Sequence, residues 1–209
     1  MTTVLIAGSI KIKHLPDEVQ ARIVNILSLH YDVVVGDAGG ADSAVQQFLA
    51  DQGAARVTVY CSGERPRNNI GGWPVHQVTS YHAKRSRAWF TAKDVAMAQA
   101  ADLGLMVWDG VSTGTLSNVV ELLARKRNSL VFTNTDRQFH RILSVEHLQA
   151  LVASMAVAAR AKADTRIDLS ARIEGLQSRA MQDRILAQRA AQADLPTLMP
   201  AAFDSAVPS

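Results

Sequence analysis

Short, almost wholly apolar runs alternate along the first two thirds of the chain with longer stretches whose apolar residues recur every three or four positions. The runs are Thr3–Ala7, Asp32–Gly36, Arg56–Tyr60, Leu103–Trp108 and Ser129–Thr133. Each is too short for a helix and lacks a polar face, the mark of a strand covered on both sides of a parallel sheet. Between them, a helix opens at Pro16-Asp-Glu and carries Val19, Ile23, Ile26 and Leu27 on one face. A second carries Ala44, Val45, Phe48 and Leu49, a third runs from about Ala88 to Ala101, and a fourth from Leu116 to Lys126. Strands alternating with helices, joined by right-handed crossovers, predict an α/β fold over residues 1–140: a Rossmann-like, doubly wound, mainly parallel sheet.

After Thr133 the pattern changes. Asn134–Gln138 reads as a polar turn, and no further strand is expected. A helix capped by Ser144 passes through Leu148, Leu151, Val152 and Met155, and another spans Ile167–Ala193, so residues 141–195 form a helical extension. An amphipathic helix without a core of its own needs a partner face, offered by a second copy or by its own sheet domain. Pro196, Pro200 and Pro208 make residues 196–209 a tail.

Composition narrows the class. With 48% hydrophobic and 20% charged residues, and only 12 Gly and 6 Pro, the chain is neither collagen-like nor disordered. The single cysteine, Cys61, excludes an internal disulfide framework or a multi-cysteine zinc site; it points to a reducing compartment, the cytoplasm, and reads as a small buried thiol rather than a reactive one. No basic segment precedes the apolar run Val4–Ala7, and no apolar run is long enough to span a membrane, so no membrane partner is expected. The six histidines show no metal-ligand spacing; neither a metal nor any other cofactor is expected.

Net charge is +3. The excess belongs to residues 1–144, with 15 Lys/Arg against 12 Asp/Glu, whereas the remainder balances at 7 each. It is concentrated between Arg65 and Lys93, which hold Arg67, Lys84, Arg85 and Arg87 and no acid. Such a stretch attracts an anion or is simply a solvated loop. Trp73, Tyr81 and Trp89 interleave with these cations, as stacking platforms for a base or as the packing of a lid. A nucleic acid is the weaker partner candidate, because phosphate-backbone binding normally needs a denser basic surface.

In parallel sheets, ligands bind at the carboxyl ends of strands, where helix N-termini favour anions. Three loops fall there: Gly8-Ser9, Gly36–Asp42 and Asp109–Thr115. Gly39, Gly40 and Gly114 would let backbone approach a phosphate, and Gly110 lies in the third loop. Ser112, Thr113 and Thr115 bring hydroxyls that can cap the following helix or hold phosphate. Asp37, Asp42, Asp94 and Asp109 could bind ribose hydroxyls or assist glycosidic cleavage, with Asp42 and Asp109 the catalytic candidates unless they merely cap helices or turns. Lys93 and Arg87 would compensate ligand charge.

G-D-A-G-G-A-D at 36–42, K-D-x-x-M at 93–97, A-D at 101–102 and W-D-G-x-S-x-G-T-L at 108–116 together resemble the SLOG superfamily of Rossmann-like nucleotide-binding proteins. That superfamily includes the lonely-guy phosphoribohydrolases and the DNA-processing protein of natural transformation. The resemblance covers about residues 3–133. It implies a nucleotide or nucleotide-derived ligand with its phosphate in the loop at 110–115, and a homo-oligomer; it implies no particular reaction. Lonely-guy enzymes carry P-G-G-x-G-T-x-x-E, whose glutamate serves hydrolysis of an N-glycosidic bond. Here Gly114 and Thr115 match, but the neutral Asn118 occupies the glutamate position, and Lys93 replaces an arginine. Both departures weigh against that chemistry unless another carboxylate supplies it.

Overall fold

In a computed structural model, which describes residues 1–80, 82–83 and 86–193 and only the backbone of Arg87, Gln192 and Ala193, the five apolar runs lie side by side in one sheet. They are β1 (Thr3–Gly8), β2 (Asp32–Gly36), β3 (Val57–Ser62), β5 (Leu103–Trp108) and β6 (Asn128–Thr133), and the described sheet adds β4 (Val75–Val78) and β7 (Gln138–Ile142) at its edges. The order is β4-β3-β2-β1-β5-β6-β7, parallel throughout except for β6 with β7.

Both edge strands depart from the sequence reading. β4 lies inside the stretch read as irregular; it is four residues long, mostly exposed and paired only with β3, so no apolar run marks it. β7 corrects the expectation that no strand follows Thr133. Residues 134–137 do form a turn, and that turn sends the chain back along β6. Only Ile142 of β7 is fully buried, while Phe139 meets Phe132 edge-on at 5.1 Å between centroids.

Helices α1 (Asp17–Ser28) and α2 (Ala41–Asp51) cover one face, packing Val19, Ile23, Val45 and Leu49 against Ile6, Val33, Val35 and Val107. Helices α3 (Arg87–Ala100) and α4 (Thr113–Ala124) cover the other with Met97, Leu116 and Val119 against Leu5, Val34, Met106 and Trp108. The chain winds outward from β1 in one direction, then outward from β5 in the other, with its helices on opposite faces. A crevice therefore opens between the carboxyl ends of β1 and β5, where the winding reverses.

The extension consists of α5 (Val145–Ala153), α6 (Val157–Ile167) and α7 (Leu169–Ala193). Its Leu148, Leu151, Val152, Ala163, Leu169 and Ile173 belong to the same core as Leu116 and Val119. Over this span the extension folds back on its own sheet domain. Asp168, in the left-handed region at φ 49°, separates α6 from α7, and Arg172 ties α7 to α4 through Ser117 (2.9 Å) and Glu121 (2.5 Å). Beyond Leu176 α7 is largely exposed, including Met181 and Leu186, and is held there by the ion pairs Lys126–Asp183 and Arg184–Glu146. Among the described residues, no helix is long and apolar enough to cross a membrane.

Candidate functional site

Gly8 ends β1 opposite Val107 of β5, and a side chain there would strike the Val107 carbonyl and the Ala41 methyl. Glycine thus lets three elements meet at the crevice. The buried Ser9 then joins them: its N–H donates to the Val107 carbonyl (2.9 Å), its carbonyl accepts from the Ala41 N–H (3.2 Å), and its hydroxyl donates to Asp109 Oδ1 (3.0 Å). The same Asp109 oxygen accepts from the amides of Val111 (3.0 Å) and Ser112 (2.6 Å). Ser112 Oγ caps α4, accepting from Thr115 Oγ1 (3.1 Å) and, at 3.5 Å, from the Thr115 amide. Asp109, Ser112 and Thr115 are therefore engaged in presenting the N-terminus of α4. Gly110 supplies the turn at φ 76°, and Gly40, also at φ 76°, lies against the Ile10 backbone where a side chain has no room.

A cavity of about 630 Å³ opens over this junction, within the range of small-molecule sites. Of the residues singled out in the sequence, it is bordered by Gly8, Asp42, Arg67, Lys93, Asp94, Asp109, the run Ser112–Thr115 and Asn118. Ser9, Gly39, Gly40 and Gly110 do not line it, and the Arg87 side chain lies outside the described residues. A Cβ on Gly114 would meet nothing within 4 Å, so the first turn of α4 is open to a ligand. Asn118, one turn further along α4, is 5% exposed and borders the same cavity, and its Oδ1 has no hydrogen-bond partner among the described residues. A buried, unsatisfied acceptor costs about 1–3 kcal/mol, which a ligand N–H or O–H would recover.

One wall is a compact charge network. Lys93 is 3% exposed, and its ammonium donates to Asp37 Oδ1 at 3.0 Å. Arg67 grips the same carboxylate through Nη2 (2.7 Å), Nε (3.0 Å) and its backbone N–H (3.1 Å). Burial alone would raise the Asp37 carboxyl, but the bonds from Arg67 and the charge of Lys93 outweigh it and hold the group at about 2. Asp42 and Asp94 lie next to this pair. Burial raises both carboxyls against the lowering pull of Lys93, and Asp94 reaches about 6. Asp94 Oδ1 is 4.0 Å from the Lys93 ammonium, accepts no hydrogen bond among the described residues and borders the cavity. A side chain on Gly36 would strike both Asp42 and Lys93, so the first glycine of the G-D-A-G-G-A-D run makes room for this cluster.

The basic stretch is largely spent on structure. Lys93 is buried, Arg67 is bonded to Asp37 and stacks on Phe90 at 5.0 Å, and Trp73 is buried with its ring N–H on the Ala54 carbonyl at 2.7 Å. Arg65 is exposed away from the cavity, while Tyr81, Lys84 and Arg85 lie outside the described residues. Cys61 is a buried thiol pushed up by burial. Two cavity cations come from the extension, Lys162 and Arg166 of α6, which local sequence gave no means of connecting to the loops. Comparison with known proteins yields no matching family model, no matching curated protein and no matching solved structure.

Proposed function

We propose that this chain binds a nucleotide or a nucleotide-derived small molecule at the β1–β5 crevice, as a sensor or processing protein of the cytoplasm. Asn118 Oδ1, buried and without a hydrogen-bond partner among the described residues, carries the reading, because Asn118 borders a cavity that also takes in the start of α4, with room beside Gly114. The phosphate lies against the first turn of α4, and Asn118 receives a donor from the ribose or base. Of the SLOG-like motifs, W-D-G-x-S-x-G-T-L runs from the end of β5 into α4, G-D-A-G-G-A-D joins β2 to α2, and K-D-x-x-M lies on α3 beside the cavity. Isothermal titration with nucleoside mono- and diphosphates tests the reading, using Gly114→Asp as the control. Its added carboxylate has space in the folded protein, so the fold survives while phosphate affinity falls at least about tenfold through charge repulsion. Equal affinity of variant and wild type would remove the proposal.

A second reading, hydrolysis of the N-glycosidic bond of a nucleoside monophosphate, draws on Asp94, a cavity carboxyl near 6 and therefore suited to proton transfer near neutral pH. Asp109, fixed by three donors, is less available for that role. Chromatography for free base after incubation with nucleoside monophosphates decides it; no release eliminates the reaction. The exposed outer half of α7 is the face a second copy would cover, and light scattering of a chain lacking residues 177–209 tests whether a homo-oligomer depends on it.

A further inference from the structure

Charge around the cavity is unevenly committed. Arg67 and Lys93 are bonded to Asp37, and Asp109 accepts from Ser9 and from amides of its own loop. Lys11, which follows β1, and Lys162 and Arg166 of α6 border the same cavity and take part in no ion pair among the described residues. Lys162 and Arg166 are four residues apart, hence neighbours on one helical face. Their placement is built into the fold. α6 packs on α4, with Ala159 and Ala163 buried on its inner side, and such small side chains let the helices approach closely. Of the cavity acids, Asp42 stands on α2, Asp94 on α3 and Asp109 on the loop between β5 and α4, and the cations Arg67 and Lys93 near the first two are already bonded to Asp37. The α6 side of the cavity thus contributes two cations and no carboxylate.

The start of one helix accommodates a single phosphate. That phosphate leaves the paired cations of α6 without a counter-charge. We infer that Lys162 and Arg166 form a second anion subsite, so that the ligand is a nucleotide with a second phosphoryl group, such as a nucleoside diphosphate or a pyrophosphate-linked nucleotide. The inference rests on the nucleotide reading above and adds to it the number of phosphates and the part played by the extension. The second phosphoryl group lies toward α6, and the ribose and base lie toward Asp42 and Asp94, whose carboxyls can accept from sugar hydroxyls.

Isothermal titration of the full chain with AMP, ADP and the matching guanosine, cytidine and uridine pairs at fixed ionic strength tests this. In at least one pair the diphosphate binds about tenfold tighter than the monophosphate, the effect of two partly screened charge-assisted contacts. Lys162→Ala/Arg166→Ala abolishes that advantage and leaves monophosphate affinity within about threefold. Both side chains are exposed, so the variant retains its fold, which circular dichroism verifies. Arg179→Ala/Arg189→Ala, an equal loss of charge at exposed positions of α7 away from the cavity, keeps the advantage. The inference is overturned if mono- and diphosphates bind equally to the wild type, if the advantage survives without Lys162 and Arg166, or if the α7 variant loses it equally. If no nucleotide of the set binds the wild type, the nucleotide reading fails, and this inference with it; monophosphate binding without a diphosphate advantage refutes this inference alone.

Discussion

Replacing Asp37 with Asn removes the carboxylate that the buried Lys93 ammonium contacts at 3.0 Å, while keeping nearly the same shape. Two routes give the cost. Isolating one member of a buried ion pair typically costs 3–5 kcal/mol, and the lower end applies because Asp94, at 4.0 Å, still offers some compensation. Linkage gives a similar figure: a carboxyl held at about 2 against an ordinary 3.8 contributes about 2 kcal/mol of stability at neutral pH. Because the folded value is the lower one, this contribution is fully present above pH 3.8 and disappears as pH falls through about 2. Asp37→Asn should therefore lower stability by about 2–3 kcal/mol at pH 7, and the difference from wild type should shrink steeply below about pH 3. Lys93→Met should be costly alone but much less so combined with Asp37→Asn, because the pair then leaves together. Urea unfolding followed by circular dichroism at pH 7, on wild type, both single variants and the double, gives the coupling energy, expected at about 2 kcal/mol or more. A coupling below about 0.5 kcal/mol would refute the view that this network holds the wall of the cavity.

Three further outcomes follow from neighbouring residues. Asp94, raised to about 6 by burial, favours the folded state while protonated; that advantage is complete below about pH 3.8 and lost as pH rises through 6, so Asp94→Asn should be about 2 kcal/mol more stable than wild type at pH 8 and equal to it near pH 3.5 in the same urea assay. Asn118→Leu removes an unsatisfied buried acceptor and should raise stability by about 1 kcal/mol while weakening the proposed nucleotide binding at least tenfold; a loss of stability would show that the Oδ1 is satisfied in the free protein. Leu148→Ala, in the core shared by the extension and the sheet, should cost about 3 kcal/mol and lower the melting temperature in one transition, whereas an unchanged transition would mean that the extension unfolds independently.

The central strands and the three loops were legible because they depend on local signals: unbroken apolar runs, and glycines where strands turn into helices. The edges were not. Val75–Val78 and Gln138–Ile142 each have one exposed flank, so water replaces the hydrophobic cover that makes a strand visible, and β7 requires a reversal that its composition does not advertise. At the site, Gly8, Gly114 and Lys93 could be assigned from their positions, but the roles of Asp94 and Asn118 depend on burial. Lys93, a cation read from the sequence, borders the cavity, and its bond to Asp37 became visible only in the fold. The α6 cations lie far along the chain from the loops they face, and only tertiary packing brings them there.

The sheet changes its direction of winding at a single seam, where β1 pairs with β5 and Ser9 bonds to Asp109 one hundred positions away. Both helix layers straddle this seam, α1 and α2 sharing a core with Val107 and α3 and α4 sharing one with Val34, so a disturbance in one half is passed to the other here. A molecule seated across it would act as a clasp, restraining the relative twist of the halves, including strands it never touches. Amide exchange at β3 and β6, on opposite sides of the seam, should then slow together when the cavity fills. For a sensor, that collective stiffening is a message the whole surface can display without any large rearrangement.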